Sequence, residues 1–136
     1  MKFSDLQLHP TLQANLERIK FVDCTPIQDQ AIPLLRKGKD LSGLAQTGTG
    51  KTGAFLIPLI DRVMKATRPE PSLAESETVA FPEWKKKNFI LVLVPTRELC
   101  EQVQENAKSF TENTGIDSVS IYGGTTYENQ IAALKD

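Results

Sequence analysis

The sequence predicts an α/β fold in which a parallel sheet is flanked by helices. Segments with strand character alternate with segments of helical periodicity, and a parallel sheet requires this order of elements. Residues 89–94 (Phe-Ile-Leu-Val-Leu-Val) form a continuously apolar run, which is typical of a strand covered on both faces. Residues 40–45 are a second predicted strand, and a glycine-rich turn and a helix follow it directly.

Two helices are predicted upstream of that second strand. The first follows Pro10. Its apolar side chains recur at helical spacing, at Leu12, Leu16 and Ile19. The second begins at Thr25 and Pro26, because threonine is a good N-cap and proline suits the first helical position. Gly38 is well placed to end this second helix.

A third helix is predicted over residues 50–64, and Pro58 is expected to kink it or to end it early. Residues 68–88 differ from the rest of the chain, because they contain three prolines and charges of both signs. We interpret this segment as an exposed loop that joins two core elements. Its run of lysines at 85–87 is interpreted as a solvated charge run.

The apolar strand ends at a proline, and a long helix is predicted over residues 96–113, closed by Gly115. One side of this helix is apolar, at Leu99, Val103, Ala107 and Phe110. Residues 117–122 are predicted as a further strand. A turn at residues 123–124 and a last helix at residues 127–134 complete the alternating pattern.

Composition places the chain among ordinary globular proteins, with 40% hydrophobic and 24% charged residues. The net charge of -1 argues against a broad basic face, although a local groove for nucleic acid needs no basic average. Cys24, Cys100 and the single His9 are too few for a zinc site, and His9 is interpreted as a structural or surface residue. The cysteines are interpreted as reduced thiols of a cytoplasmic protein, with a disulfide left open. No signal peptide or membrane-spanning apolar run is expected.

Residues 45–52 have the pattern of a phosphate-binding loop between a strand and a helix. The loop consists of Ala45, Gln46, Thr47, Gly48, Thr49, Gly50, Lys51 and Thr52. Gly48 and Gly50 let backbone N–H groups approach a triphosphate closely at a helix N-terminus. Lys51 is placed to reach the β- and γ-phosphates of ATP, and the Thr52 hydroxyl to ligate Mg²⁺, so these two are the candidate catalytic residues. The alternative is a glycine turn that precedes Lys-Thr by chance.

Four motifs, in order along the chain, resemble those of the DEAD-box RNA helicases. The loop at 45–52 has the helicase form, in which alanine takes the first position. Residues 21–28 (Phe-x-x-Cys-Thr-Pro-Ile-Gln) resemble the Q motif, and Phe3 stands where the family keeps an upstream aromatic residue. Residues 95–99 (Pro-Thr-Arg-Glu-Leu) resemble motif Ia, and residues 123–124 resemble the glycine doublet.

The resemblance implies an ATP site built from the phosphate loop together with Phe3, Phe21, Thr25 and Gln28. In this family the Q-motif glutamine pairs with the adenine edge, and the upstream aromatic ring stacks on the adenine face. From the residues alone, Thr25-x-x-Gln28 is also a capping box, in which glutamine satisfies a backbone N–H at the helix start. Phe3 is equally a candidate core residue, and Lys20 stands where the family usually keeps glycine.

The resemblance also implies a grip on the sugar-phosphate backbone of RNA. The residues concerned are Pro95, Thr96, Arg97, Glu98, Gly123 and Gly124. An arginine offers a charged fork to a phosphate, and such contacts read no base sequence, so RNA binding is expected to be sequence-tolerant and salt-sensitive. From the residues alone, the alternatives are a surface ion pair between Arg97 and Glu98 and an ordinary turn at the two glycines.

By this resemblance, the chain is the N-terminal portion of the first RecA-like domain of an ATP-dependent RNA helicase. The expected fold is a P-loop NTPase sheet with flanking helices that is incomplete at the C-terminus, with residues 1–29 as the Q-motif region and 30–136 as a partial ATP-binding domain. The family's Asp-Glu-Ala-Asp and Ser-Ala-Thr motifs do not occur in the 136 residues. The fragment alone is therefore expected to lack ATPase activity. It is also expected to be poorly stable, because the incomplete sheet would leave strands with unpaired edges.

Residues 8–10 and 24–26 are further similar to the bacterial RhlB group within this family. RNA-degradation or ribonucleoprotein partners would then bind through other regions. Two alternative functions stay open on the sequence. One is a nucleotide-binding module without hydrolysis, and the other is a related P-loop ATPase that acts on DNA.

Overall fold

The structure, a computed structural model, describes residues 1–73, 76–85 and 88–123. Four α-helices lie in this part of the chain: α1 (Pro10–Arg18), α2 (Pro26–Leu35), α3 (Lys51–Thr67) and α4 (Arg97–Thr111). Two short 3-10 helices accompany them, Phe3–Leu6 and Pro71–Leu73. Helix α3 contacts both α2 and α4, and α1 contacts α4, so α3 is central to the packing. The four predicted helices within the described residues are thus confirmed, with ends shifted by a few residues.

The core lies between these helices and is closed at one end by the N-terminal segment. Its fully or nearly fully buried side chains include Phe3, Leu12, Leu16, Ile32, Ile57, Met64 and Phe110. The ring of Phe21 lies 5.8 Å from that of Phe3 and 5.7 Å from that of Phe110, measured between centroids. Each large apolar side chain that is fully buried contributes ~1.5–3 kcal/mol. These rings therefore hold the chain entering α2 against the end of α4.

His9 fixes the start of α1. Its Nδ1 accepts a hydrogen bond from the backbone N–H of Thr11 at 3.2 Å, which makes His9 the N-cap, and Pro10 takes the first helical position. Its Nε2 lies 2.9 Å from the carbonyl oxygen of Arg68, directly after α3. The ring therefore donates through Nε2 and accepts through Nδ1. The structural interpretation of His9 is confirmed.

Pro58 does not end α3, and that part of the prediction is wrong. The helix continues to Thr67, although a proline in a helix interior removes one hydrogen bond and costs ~3 kcal/mol. Pro58 is itself fully buried, and apolar residues on both sides of it, such as Ile57 and Met64, lie in the core. Burial of both halves of α3 outweighs the local cost of the proline.

The three predicted strands do not form in this structure. Residues 40–45, 89–94 and 117–122 have no strand pairing, and within the described ranges the β-bridge found joins Lys2 to Asp23. A strand needs hydrogen bonds to a neighbouring strand, and the local sequence cannot supply them. The predicted parallel sheet is therefore not confirmed in the part of the chain that the structure describes.

Residues 89–94 are also less buried than predicted. Phe89, Leu91 and Leu93 are 77%, 70% and 84% exposed, whereas Val92 between them packs against the core. Alternate side chains of an extended segment point to opposite sides, so one side of this run is covered and the other is open. The expectation that both faces are covered was wrong for these residues.

Residues 68–88 are not uniformly exposed, although they were predicted to form an exposed loop. Thr78 is only 2% exposed, and its hydroxyl accepts a hydrogen bond from Arg36 Nε at 2.8 Å and donates one to Asp61 Oδ2. Asp61 Oδ1 accepts from the backbone N–H of His9 at 2.8 Å. Burial lowers the pKa of Arg36, and the nearby carboxylates of Asp61 and Glu77 oppose that shift. This network fastens the middle of the loop to α2 and α3.

No helix in the described ranges is long and apolar enough to cross a membrane. Cys24 and Cys100 are free thiols, as predicted. The predicted helix at residues 127–134 and Gly124 lie outside the residues that the structure describes.

Candidate nucleotide and RNA site

The phosphate loop turns directly into the N-terminus of α3. Gly48 and Gly50 have φ of 82° and 85°, in the left-handed region that glycine adopts without steric cost, and α3 begins at Lys51. The Thr49 hydroxyl donates to the carbonyl oxygen of Gln46 at 2.6 Å and closes the turn between them. A glycine turn before a long helix presents unpaired backbone N–H groups at the positive end of the helix dipole, which favours anions such as phosphate.

The two candidate catalytic residues occupy the first turn of α3. Lys51 is exposed, and its Nζ donates a hydrogen bond to the carbonyl oxygen of Ala45 at 2.7 Å, at the opposite end of the loop. The ammonium group therefore bridges the two ends of the loop. A phosphate that binds there would compete with the Ala45 carbonyl oxygen for the Lys51 ammonium. Thr52 follows in the helix and is half-buried.

Gln28 lies beneath the phosphate loop and contacts it. Its Oε1 accepts from the backbone N–H of Thr25 at 2.9 Å, which is the glutamine half of a capping box. Its Nε2 donates to the carbonyl oxygen of Gly50 at 3.1 Å, and the side chain is 3% exposed. The capping alternative is thus confirmed, and in this arrangement both ends of the amide are already engaged.

Two glycines permit this close approach. A Cβ on Gly50 would lie 2.5 Å from Gln28 Nε2 and 3.0 Å from Thr25 Oγ1. A Cβ on Gly53, the third residue of α3, would lie 3.0 Å from Gln28 Nε2 and 3.7 Å from the Phe21 ring. Gly53 was not among the residues predicted for the site. A glycine in a helix costs ~1 kcal/mol relative to alanine. A glycine inside the predicted helix was therefore the sequence feature that could have indicated a close contact here.

One polar atom at this point has no hydrogen-bond partner in the described part of the chain. Thr25 Oγ1 is buried beside Gly50 and is unpaired there. A buried hydroxyl without a partner is costly, so such an atom beside a glycine turn suits a polar ligand. Together with the positive-φ glycines and the cation of Lys51, this donor set fits a nucleotide. No group of three or more His, Cys, Asp or Glu side chains that could hold a metal ion occurs among the described residues.

Phe3 takes the core alternative rather than an adenine-facing position. It is 1% exposed and lies against Phe21, so stacking on a base would require its ring to leave the core. Phe21 is half-buried and close to Gly53, which places it nearer the loop. Cys24, which precedes Thr25, is partly buried, and burial raises the pKa of its thiol to about 11.

The motif Ia residues form the start of α4. Thr96 is the N-cap, and its Oγ1 accepts from the backbone N–H of Leu99 at 3.2 Å. Arg97 pairs with Glu101 rather than with Glu98, with Arg97 Nε 3.7 Å from Glu101 Oε1. The alternative of an Arg97–Glu98 ion pair is therefore wrong. Arg97 remains 54% exposed, so an exposed phosphate can reach it.

The structure brings motif Ia next to the start of the glycine doublet. The guanidinium carbon of Arg97 lies 4.8 Å from the ring centroid of Tyr122, which precedes Gly123. The Tyr122 hydroxyl also donates to Glu101 Oε1 at 3.1 Å. Gly123 is exposed, and a Cβ added to it would meet nothing within 4 Å. The predicted phosphate-gripping residues thus share one surface as far as Gly123.

Residues 25–136 match the family model described as DEAD/DEAH box helicase. The chain is 42% identical over 135 residues to the DEAD-box ATP-dependent RNA helicase CshA of Streptococcus pneumoniae, covering 99% of this chain and 22% of that protein. It is 39% identical over 134 residues to the ATP-dependent RNA helicase RhlB of Shigella dysenteriae, covering 98% of this chain and 29% of that protein. The chain therefore spans about a quarter of the length of these relatives.

Two solved structures are also similar to this chain. An RNA helicase of Chaetomium thermophilum bound to ADP superposes with a TM-score of 0.77 at 34% identity, covering 98% of this chain and 30% of that one. A DEAD box protein of the hyperthermophile Methanococcus jannaschii superposes with a TM-score of 0.74 at 30% identity, covering 98% and 32%.

Proposed function

Since this chain belongs to the DEAD/DEAH box helicase family, we propose that it forms the nucleotide cradle and part of the RNA grip of an ATP-dependent RNA helicase. The parent activity is ATP binding and hydrolysis coupled to unwinding or remodelling of RNA duplexes. The observation that carries this proposal is the convergence of Gln28 and Thr25 on Gly50 of the phosphate loop. The fold we propose for the whole domain is a RecA-like parallel sheet with flanking helices, which the superposed helicases support.

ATP would be held from two sides. On the phosphate side, the backbone N–H groups of residues 45–52 and the ammonium of Lys51 would bind the phosphates, with the Thr52 hydroxyl on Mg²⁺. Mg²⁺ neutralises charge that develops on the phosphates during transfer. On the base side, Gln28 would turn its amide to the adenine edge, near Phe21 and Thr25. Phe3 would act through its ring contact with Phe21.

RNA would lie along the surface of Thr96, Arg97 and Gly123, with Pro95, Glu98 and Gly124 as further members of the two motifs. The half-exposed guanidinium of Arg97 can pair with a phosphate without being freed from a buried site. Because an arginine fork, a threonine hydroxyl and glycine backbone groups suit phosphates and sugars, which carry no sequence information, we propose sequence-independent binding. The free thiols support a reducing compartment, and we propose the cytoplasm.

Competition experiments on the 136-residue chain test this function. A fluorescent ATP analogue should be displaced by ATP and ADP much more effectively than by GTP, because GTP lacks the adenine edge that Gln28 would read. RNA and DNA single strands of equal length and sequence should compete unequally, with RNA the tighter ligand. Equal displacement by GTP would remove the adenine role. Equal competition by DNA would favour a DNA-acting ATPase instead.

A further inference from the structure

An aromatic and basic surface lies away from the site already described. We call Arg62, Phe81, Trp84 and Lys85 the 81–85 patch. The rings of Phe81 and Trp84 are 5.2 Å apart between centroids, tilted by 36°. The guanidinium carbon of Arg62, on α3, lies 3.9 Å from the Phe81 ring centroid. This part of the chain was predicted to be an exposed loop with a solvated run of lysines, and the nucleotide and RNA functions above do not use it.

The patch is held by backbone hydrogen bonds on both sides. Arg62 Nε donates to the carbonyl oxygen of Val79 at 2.8 Å, and the Val79 N–H donates to the carbonyl oxygen of Arg36 at 2.7 Å. After the patch, Lys85 and Asn88 exchange two hydrogen bonds of 2.9 Å, one of them through the Asn88 side chain. Its rings are therefore preorganised, which lowers the entropic cost of binding a ligand.

The outer part of the patch keeps unused binding groups. Among residues 1–73, 76–85 and 88–123, nothing hydrogen-bonds to the indole N–H of Trp84 or pairs with the ammonium of Lys85. In the described residues, the Phe81 ring contacts both the Arg62 guanidinium and the Trp84 ring, and the Trp84 ring contacts the Phe81 ring. Trp84 is half-buried, so part of the indole is accessible. In the sequence, the lysines at 85–87 outnumber the single nearby carboxylate, Glu83.

We propose that the 81–85 patch is a second contact for single-stranded RNA. A base would stack on the accessible part of the Trp84 indole, and a phosphate beside it would meet the ammonium of Lys85. Flat rings next to a cation are the combination that binds single-stranded nucleic acid without reading its sequence. An acidic peptide would use the cations but has no use for the rings, so RNA is the partner that fits both. The RNA identity rests on the proposed function, whereas the patch itself does not involve Arg97.

The experiment uses the intrinsic fluorescence of Trp84, which is the only tryptophan in the chain. Adding a single-stranded RNA oligonucleotide to the 136-residue chain should quench this emission, and raising the salt concentration should weaken the quenching. Replacing Lys85 by serine should lower the affinity about threefold. An unchanged emission spectrum on saturating RNA, with RNA shown to be bound by anisotropy of a labelled strand, would overturn the proposal.

Three controls separate this site from the motif Ia surface. In Arg97→Ala, the quenching should persist, because Arg97 is not part of the patch. By anisotropy, Trp84→Phe should retain RNA binding and Trp84→Leu should lose about tenfold in affinity, which a purely electrostatic contact would not show. Polyglutamate should leave the emission unchanged, and quenching by polyglutamate equal to that by RNA would overturn the RNA assignment in favour of an acidic protein. If Arg97→Ala abolishes the quenching, the patch is not a separate contact and the proposal fails.

Discussion

Gln28 Nε2 donates a hydrogen bond to the carbonyl oxygen of Gly50, 3.1 Å away, and so connects the Q-motif segment to the phosphate loop. The same amide accepts from Thr25 through Oε1. The amide can still accept one further hydrogen bond through Oε1 and donate one through Nε2, so an adenine edge could pair with Gln28 while Gln28 stays bonded to the loop. Binding of the base and the conformation of the phosphate loop are therefore coupled through one side chain.

Gly50→Ala should harm both stability and ATP affinity, with Gly48→Ala as a matched control. Both glycines have φ above 80°, so both substitutions introduce similar backbone strain of ~1–2 kcal/mol. A Cβ on Gly50 would also clash with Gln28 Nε2 at 2.5 Å, whereas a Cβ on Gly48 meets nothing within 4 Å. Urea unfolding and ATP titration should show the larger loss for Gly50→Ala. Equal losses would mean that the contact between Gln28 and Gly50 is unimportant.

Thr78→Val should destabilise the protein by about 1–3 kcal/mol, because it removes the buried hydrogen-bond partner of Arg36 Nε and of Asp61 Oδ2. Thr67→Val is the control, since in the described part of the chain the Thr67 hydroxyl bonds to the Val63 carbonyl within α3. The control should shift the free energy of unfolding by no more than about 0.5 kcal/mol. Urea unfolding measures the free energy of unfolding of both variants. An unchanged free energy for Thr78→Val would show that loop residues 76–81 are not anchored as the structure has them.

Glu101→Gln should raise RNA affinity, by about two- to fivefold at low salt. The carboxylate of Glu101 lies 3.7 Å from Arg97 Nε and competes with a phosphate for the same cation. Glutamine keeps the shape and can still accept from Tyr122. The gain should shrink as salt rises, because exposed charges are screened. Anisotropy of a labelled RNA strand measures it, and reduced affinity would show that Glu101 positions Arg97 for RNA instead.

Cys24 should react slowly with iodoacetamide. Burial raises the pKa of its thiol from 9.0 to about 11, so at pH 8 its thiolate is about 100-fold scarcer than that of an ordinary cysteine. The raised pKa means that the rate should increase about tenfold per pH unit until pH approaches 11. Peptide mapping after alkylation separates Cys24 from Cys100. A Cys24 rate at pH 8 equal to that of an unfolded peptide would contradict the buried position.

Local sequence features predicted the helices. Contacts between distant segments explain where the structure differs from the predictions. Thr25-Pro26 and Thr96 mark helix starts by themselves, and both helices begin where expected. Pro58 does not end α3, because burial along the helix, which no local rule contains, outweighs the cost of the proline. The predicted strands are not confirmed in the described residues, since a strand is defined by its partner.

In the candidate site, too, features that depend on local sequence were predicted, and features that depend on contacts between distant segments were not. Gly48 and Gly50 were predicted from the phosphate-loop pattern as positions where the backbone comes close to a ligand, and in the structure both have positive φ. The position of Phe3 in the core and the double engagement of Gln28 depend on contacts between distant segments. Thr78, buried against Asp61 and Arg36, gave no sign in a segment dominated by proline and charge.

The most direct test of the account is the ATP affinity of the 136-residue chain and of its Lys51→Ala variant, measured by calorimetric titration in Mg²⁺. Lys108→Ala, an exposed lysine on α4, is the control for loss of one positive charge. The account predicts measurable ATP binding by the unchanged chain and by the control, and its loss in Lys51→Ala. Equal ATP affinity for all three proteins would contradict the assignment of residues 45–52 as the phosphate loop.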